Sequence, residues 1–139
     1  MSVDVDRAFV RLDEGLVHYR HAGTPSDGSL PLFVAHAGPG SSAGYEPLIA
    51  VLGESRFVIA PDTLGNGDSA APAMDVPDIE YYADSVCRVL DALGIDQVDY
   101  FGSHTGAHIG CELAIARPDR VRKMIFDGIG VFDDDFRKT

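Results

Sequence analysis

The 139-residue chain has no tryptophan, only two cysteines, and half as many basic as acidic residues. Each shortage closes off a class of protein. Cys87 and Cys111 are too few to staple a small secreted scaffold. At this length no staple is needed, because one domain can bury roughly 70% of the surface its unfolded chain exposes, and both residues are expected as buried thiols. Eleven Lys and Arg against 22 Asp and Glu leave a net charge of −11 and a pI near 4.6. Such a field repels phosphate backbones and anionic lipid, so neither nucleic acid nor a membrane surface is an expected partner. No segment reaches the ~18 apolar residues of a membrane span. Met1 to Arg7 lacks the basic and apolar regions of a signal peptide, and the cytoplasm is the expected compartment.

Short apolar runs alternate with longer helical patterns, without internal repeats, which is the rhythm of an α/β domain. Ala8–Leu12 and Leu16–Ala22 flank Asp13-Glu14-Gly15, a loop of the kind that closes a hairpin, so the chain opens with antiparallel strands. The continuously apolar runs Leu30–Ala35 and Phe57–Ala60 read as strands covered on both faces, with a short helix between them over about Tyr45–Leu52. A loop rich in Gly, Asp and Pro follows from Thr63 to about Val76. Pro77 then stands at a first helical position and Gly94 at a C-terminal cap, with Ile79, Ala83, Val86, Leu90 and Leu93 at helical spacing between them. Val98–Phe101 is a strand, the segment from Gly106 to Pro118 a helix with a face of small residues, and Val121–Phe126 a last strand. Crossovers make four of these six strands parallel.

In an open α/β sheet, ligands bind outside the carboxyl ends of the strands. Two loops there stand out. His36-Ala37-Gly38-Pro39-Gly40-Ser41-Ser42 has little side-chain bulk, so its amides can approach a ligand. Gly102-Ser103-His104-Thr105-Gly106 has the form G-x-X-x-G between a strand and a helix, a sharp turn that holds its middle residue strained and exposed. A competing reading is a dinucleotide site: Gly38 to Ala43 fits G-x-G-x-x-A, and Asp62 stands where a ribose ligand belongs. Against it, two strands precede the motif, and Pro39 removes an amide from the loop that would cradle pyrophosphate.

These loops, together with Ala60-Pro61-Asp62-Thr63-Leu64-Gly65-Asn66-Gly67-Asp68-Ser69, resemble three linked motifs of the α/β-hydrolase superfamily in the right order. Ala37 replaces a glycine of the first motif. The resemblance implies an α/β-hydrolase fold, antiparallel first strands followed by parallel strands with crossover helices, and a hydrolase acting on a small, largely apolar substrate with an ester-like or carbonyl centre. It implies an oxyanion hole at the amides of Gly38 and Thr105, with His36 and Ala37 beside the substrate pocket. No organic cofactor is implied. His104 and His108 stand four apart like metal ligands, but no third ligand is in place, so no metal is expected.

The sequence departs from the family pattern in two ways. At the elbow apex, where the family has Ser, Asp or Cys, stands His104, with Ser103 one position earlier. His104 then acts as a nucleophile or general base, or it marks an inactive binding module in which it tolerates a left-handed backbone. A shifted register would make Ser103 the nucleophile instead. Asp127 is a candidate orienting carboxylate, or a turn residue before Gly128. The second departure is extent. Residues 1–139 correspond to a partial core domain ending near the cap insertion point, with strands seven and eight and the cap absent. A truncated or cleaved longer protein, a two-chain enzyme and a reduced fold each account for this. The favoured expectation is a second polypeptide supplying the C-terminal half. Asp133 to Asp135 read as a solvated acidic stretch, and Asp62, Asp68 and Ser69 as ties within their own turn.

Overall fold

The computed structural model describes residues 3–131, so the Asp133–Asp135 run lies outside the described residues. Asp6–Leu12 (β1) and Gly15–Ala22 (β2) pair antiparallel, from Asp6 opposite His21 to Leu12 opposite Gly15. The connection is therefore the two residues Asp13 and Glu14, one shorter than expected. Gly15 is already in the ladder at φ +135, a backbone conformation open to glycine and strained for other residues. Leu32–Ala35 (β3), Val58–Pro61 (β4), Val98–Ser103 (β5) and Val121–Asp127 (β6) complete one mixed sheet in the order β1-β2-β4-β3-β5-β6. β2 meets β4 antiparallel, and β4, β3, β5 and β6 run parallel.

Period-two alternation divides the strand residues between two cores. On one face Phe33, Ile59, Val98 and Tyr100 pack under two helices. These are Ile79–Ala92 (α2), which contributes Ala83, Val86 and Leu90, and Thr105–Ala116 (α3), which contributes Ile109 and Leu113. On the other face Val34, Val58 and Ala60 pack against Ile49 and Leu52 of Glu46–Leu52 (α1), which continues a 3₁₀ turn over Ser42–Tyr45. α1 does not reach the far side of the sheet. Phe101 and Ile125, paired across β5 and β6, line an open apolar groove of about 430 Å³ with Leu48 and Leu52. Ile125 is 65% exposed there.

The start of α2 corrects the expected cap. Asp78 is the N-cap, its carboxylate accepting from the Tyr81 amide at 2.8 Å, and Pro77 precedes it. A side-chain acceptor satisfies an amide the helix cannot, and proline has no such group. Gly94, at φ +70, follows the C-cap as expected. Both cysteines are free thiols; Cys87 is buried, whereas Cys111 in α3, expected to be buried too, is only half-buried. No helix among the described residues is long and apolar enough to cross a membrane.

Two ion-pair clusters pin the periphery. Glu14 in the hairpin turn accepts two hydrogen bonds from Arg88 of α2, at 2.8 and 2.9 Å, and one from the Tyr81 hydroxyl. The Arg88 guanidinium is the main reason the Glu14 carboxyl sits at about 2 in place of 4.5. Asp99 of β5 is likewise held at about 2, first by Arg122 and then by Arg56. A depressed folded pKa adds stability that is complete above the unfolded value and is lost as pH falls through the folded one. We expect Arg88→Ala to cost about 2 kcal/mol near neutral pH, the scale of charge-assisted hydrogen bonds. In urea unfolding the gap between the two proteins should narrow as the pH is lowered from 4.5 toward about 2, the window bounded by the two Glu14 values.

Candidate active site

β5 ends at Ser103 and α3 begins at Thr105, leaving one residue to reverse the chain. That residue, His104, has φ +50 and ψ −109 and is the only described non-glycine residue at positive φ. The turn is possible because its flanks lack side chains. A Cβ on Gly102 would collide with the Gly106 carbonyl, and one on Gly106 with the Ala35 carbonyl of β3. Further along α3, a Cβ on Gly110 would enter the Tyr100 ring, whose hydroxyl donates to the Gly106 carbonyl at 2.6 Å. Full burial pushes that phenol far up from its ordinary value.

The turn sorts the two candidate nucleophiles. Ser103 is 4% exposed, and its hydroxyl donates to Asp127 Oδ2 at 3.2 Å. His104 is exposed. Its amide donates to the Asp127 carbonyl at 2.7 Å, and its ring lies over Gly128, where an added Cβ would stand 2.5–2.8 Å from three ring atoms. Among the described residues none hydrogen-bonds the imidazole. Asp127 at the end of β6 is thus engaged with Ser103 through its side chain and with His104 only through its backbone.

The loop after β3 is ordered by its own histidine. His36, 2% exposed, donates from Nδ1 to the Ala37 carbonyl at 2.7 Å and accepts at Nε2 from the Thr63 amide at 3.0 Å. The Ala37 amide donates to the Tyr45 hydroxyl at 3.3 Å. Gly38 comes against α3, its amide donating to Thr105 Oγ1 at 3.3 Å. A cleft of about 270 Å³ opens here, lined by His36, Gly38, Pro39, Thr63, Asn66, Tyr82, Thr105 and Ile109. Of the sequence candidates, Gly38, Thr105 and His36 line it, while Ala37, Ser103, His104 and Asp127 do not. Thr63, Asn66, Tyr82 and Ile109 were missed as lining residues. The place of Tyr82 on the apolar face of α2, one turn after Ile79, marks it equally well as a packing residue.

Asp62 leaves nothing for a ribose. Its Oδ1 accepts from the Ser42 amide at 2.8 Å and hydroxyl at 2.7 Å, and its Oδ2 from the Asp68 amide at 3.0 Å and from His18 Nδ1 at 2.8 Å. Burial pushes this carboxyl up, but these donors together outweigh burial and hold it below the usual range. His18, fully buried, accepts at Nε2 from Arg7, which also pairs with Asp68. His18, Asp62 and Asp68 have their ligand atoms close enough for a metal, but the Arg7 guanidinium supplies the positive charge between His18 and Asp68. The cluster is a tie between β1, β2 and two loops, and its anchor His18 was not anticipated from the sequence.

The model of the alpha/beta hydrolase fold family matches residues 31–138. A 2-hydroxymuconate semialdehyde hydrolase of Pseudomonas sp. (strain CF600) is 40% identical over 106 residues, covering 74% of this chain and 38% of that protein. A 2-hydroxy-6-oxononadienedioate/2-hydroxy-6-oxononatrienedioate hydrolase of Paraburkholderia xenovorans (strain LB400) is 35% identical over 133 residues, covering 88% of this chain and 44% of that one. Among solved structures, an epoxide hydrolase superposes with a TM-score of 0.80 at 25% identity, covering 97% of this chain and 49% of the other. The chain thus spans less than half the length of these relatives.

The backbone contact at Gly106 cannot relax by a rotamer change. Gly106→Ala is expected to cost about 3 kcal/mol or more in chemical denaturation, as overpacking against main chain does. Gly44→Ala, with nothing within 4 Å of the added carbon, should stay within about 0.5 kcal/mol of the parent.

Proposed function

Because this chain belongs to the alpha/beta hydrolase fold family, we propose that it carries the nucleophile and oxyanion side of an active site that hydrolyses a small, largely apolar substrate with an ester-like carbonyl. One observation carries the reading: at the elbow His104 is exposed at positive φ, while the adjacent Ser103 is buried against Asp127. Imidazole suits that place. A serine needs a separate base to take its proton, whereas the neutral ring nitrogen of a histidine is nucleophilic as it stands near neutral pH.

The steps follow from these groups. The unprotonated ring nitrogen of His104 bonds to the carbonyl carbon, and the carbonyl π pair moves onto oxygen. The resulting oxyanion faces the amides of Gly38 and Thr105, the latter in the first turn of α3, where amides have no helical partner. Collapse of this adduct breaks the bond to the leaving oxygen, which takes up the proton released by the other imidazole nitrogen. Water then adds to the acyl-imidazole, releasing the acid and restoring neutral His104. The cleft wall of Pro39, Tyr82 and Ile109 favours an apolar substituent beside this carbonyl. The two curated relatives above are named for oxo compounds, which supports a carbonyl centre.

A second polypeptide supplying the cap and last strands is part of the proposal. β6 is the last strand of the sheet among the described residues. An unpaired edge strand beside an open apolar groove favours association. The groove between α1 and β6 is such a surface.

With p-nitrophenyl acetate as substrate, His104→Ala should reduce turnover at least about 100-fold, the scale of a lost nucleophile or base, without loss of folding. Ser103→Ala should retain turnover, and an acetyl adduct on His104 should appear in peptide mass spectra of quenched reactions. Unchanged turnover in His104→Ala would overturn the role of His104, and a parent protein no faster than the uncatalysed reaction would favour an inactive, ligand-binding module. In native mass spectrometry of the purified protein, a second polypeptide in equal stoichiometry is expected. A lone 14.9 kDa species or its homo-oligomer would overturn the two-chain reading.

A further inference from the structure

The amide assigned above to the oxyanion is already in use. Gly38 N–H donates to Thr105 Oγ1 at 3.3 Å, and Oγ1, Cβ and Cγ2 of Thr105 stand 3.2–3.7 Å from the position a Cβ on Gly38 would take. The threonine side chain covers the Gly38 amide on the wall of the cleft to which both residues belong. A ligand oxygen and the Thr105 hydroxyl cannot both take that proton in line.

We propose that the Thr105 hydroxyl is a displaceable stopper on the oxyanion amide, a positioning residue that any ligand oxygen must move aside; the inference rests on the function proposed above. The bond it makes is neutral and longer than the common N–H···O length. A neutral carbonyl exchanges one such bond for another and gains nothing by displacing it. An oxygen bearing negative charge forms a shorter, charge-assisted bond and displaces it with profit. Thr105 opens α3, where threonine divides its χ1 between two rotamers, so the hydroxyl has a second orientation to move to. The resting amide is satisfied, and the hole stays closed to neutral oxygens until charge develops. Removing the stopper frees the amide for ground state and transition state alike, which lowers KM and leaves kcat in place.

The test uses the full chain, with sodium acetate as a carboxylate stand-in for the oxyanion, followed by ¹H–¹⁵N spectra of the parent, Thr105→Ala and Thr105→Ser. The Gly38 and Thr105 amide resonances should move with acetate. Thr105→Ala should bind acetate about threefold to tenfold more tightly than the parent, the ratio corresponding to one net hydrogen bond, and Thr105→Ser should return to the parent value. On p-nitrophenyl acetate the alanine variant should lower KM by a similar factor with kcat unchanged. Equal acetate affinity in all three proteins overturns the stopper and leaves the oxyanion site standing. Weaker binding in Thr105→Ala overturns it in favour of a hydroxyl that donates to the anion. If neither amide moves in any of the three, the oxyanion assignment itself falls, and the stopper with it.

Discussion

The contact on which the rest of the structure depends is the approach of α3 to β3 and β5 at the distance of touching main chains. Carbonyls of Ala35 and Gly106 and the ring of Tyr100 occupy the space where side chains of residues 102, 106 and 110 would otherwise project. With the helix seated this deeply, the chain has one residue in which to turn from strand to helix, and that residue is forced to positive φ. The strain has a directional consequence. It lifts His104 out of the sheet toward solvent while Ser103, the last residue of the strand, stays in the pleat beside Asp127. Tyr100 reinforces the approach from beneath by giving its hydroxyl proton to a carbonyl in the first turn of the helix.

A second constraint fixes the other wall of the cleft. The loops after β3 and β4 are each held by a buried side chain of their own, the imidazole of His36 and the carboxylate of Asp62. Asp62 gathers donors from Ser42, Asp68 and His18, and His36 bridges the Ala37 carbonyl and the Thr63 amide. Arg7 donates to His18 Nε2, so that nitrogen carries the lone pair and Nδ1–H points at Asp62. The amphipathic hairpin is thereby locked to the turn after β4. Buried polar groups in such a network are costly unless all are satisfied, and here each named group has its partner.

Much of this was legible in the residue order. Apolar runs gave the six strands to within two residues at every end, and the turn glycines marked the elbow and the C-terminus of α2. The misses were local. The hairpin loop is shorter because Gly15 tolerates a place in the ladder, and α2 starts later because Asp78 offers an acceptor that Pro77 lacks. In the site, the elbow and the loop after β3 were identified from glycine spacing and family resemblance, but the neighbours that complete the cleft were not. Tyr82 and Asn66 reach it from α2 and from the turn after β4, and nothing in their sequence surroundings separates a lining residue from a packing one.

The sequence by itself determined what depends on near neighbours along the chain: strand and helix periods, the turns that need glycine, the caps, and the one-residue reversal at His104. Tertiary structure decided what depends on strand order. Because β3 and β5 are neighbours in the sheet although β4 and α2 lie between them in the chain, Gly38 meets the hydroxyl of Thr105, 67 residues away. Because β2 lies against β4, His18 meets Asp62. Such encounters follow from packing the two apolar faces of the sheet against helices, a requirement on the whole chain that no local pattern of residues encodes.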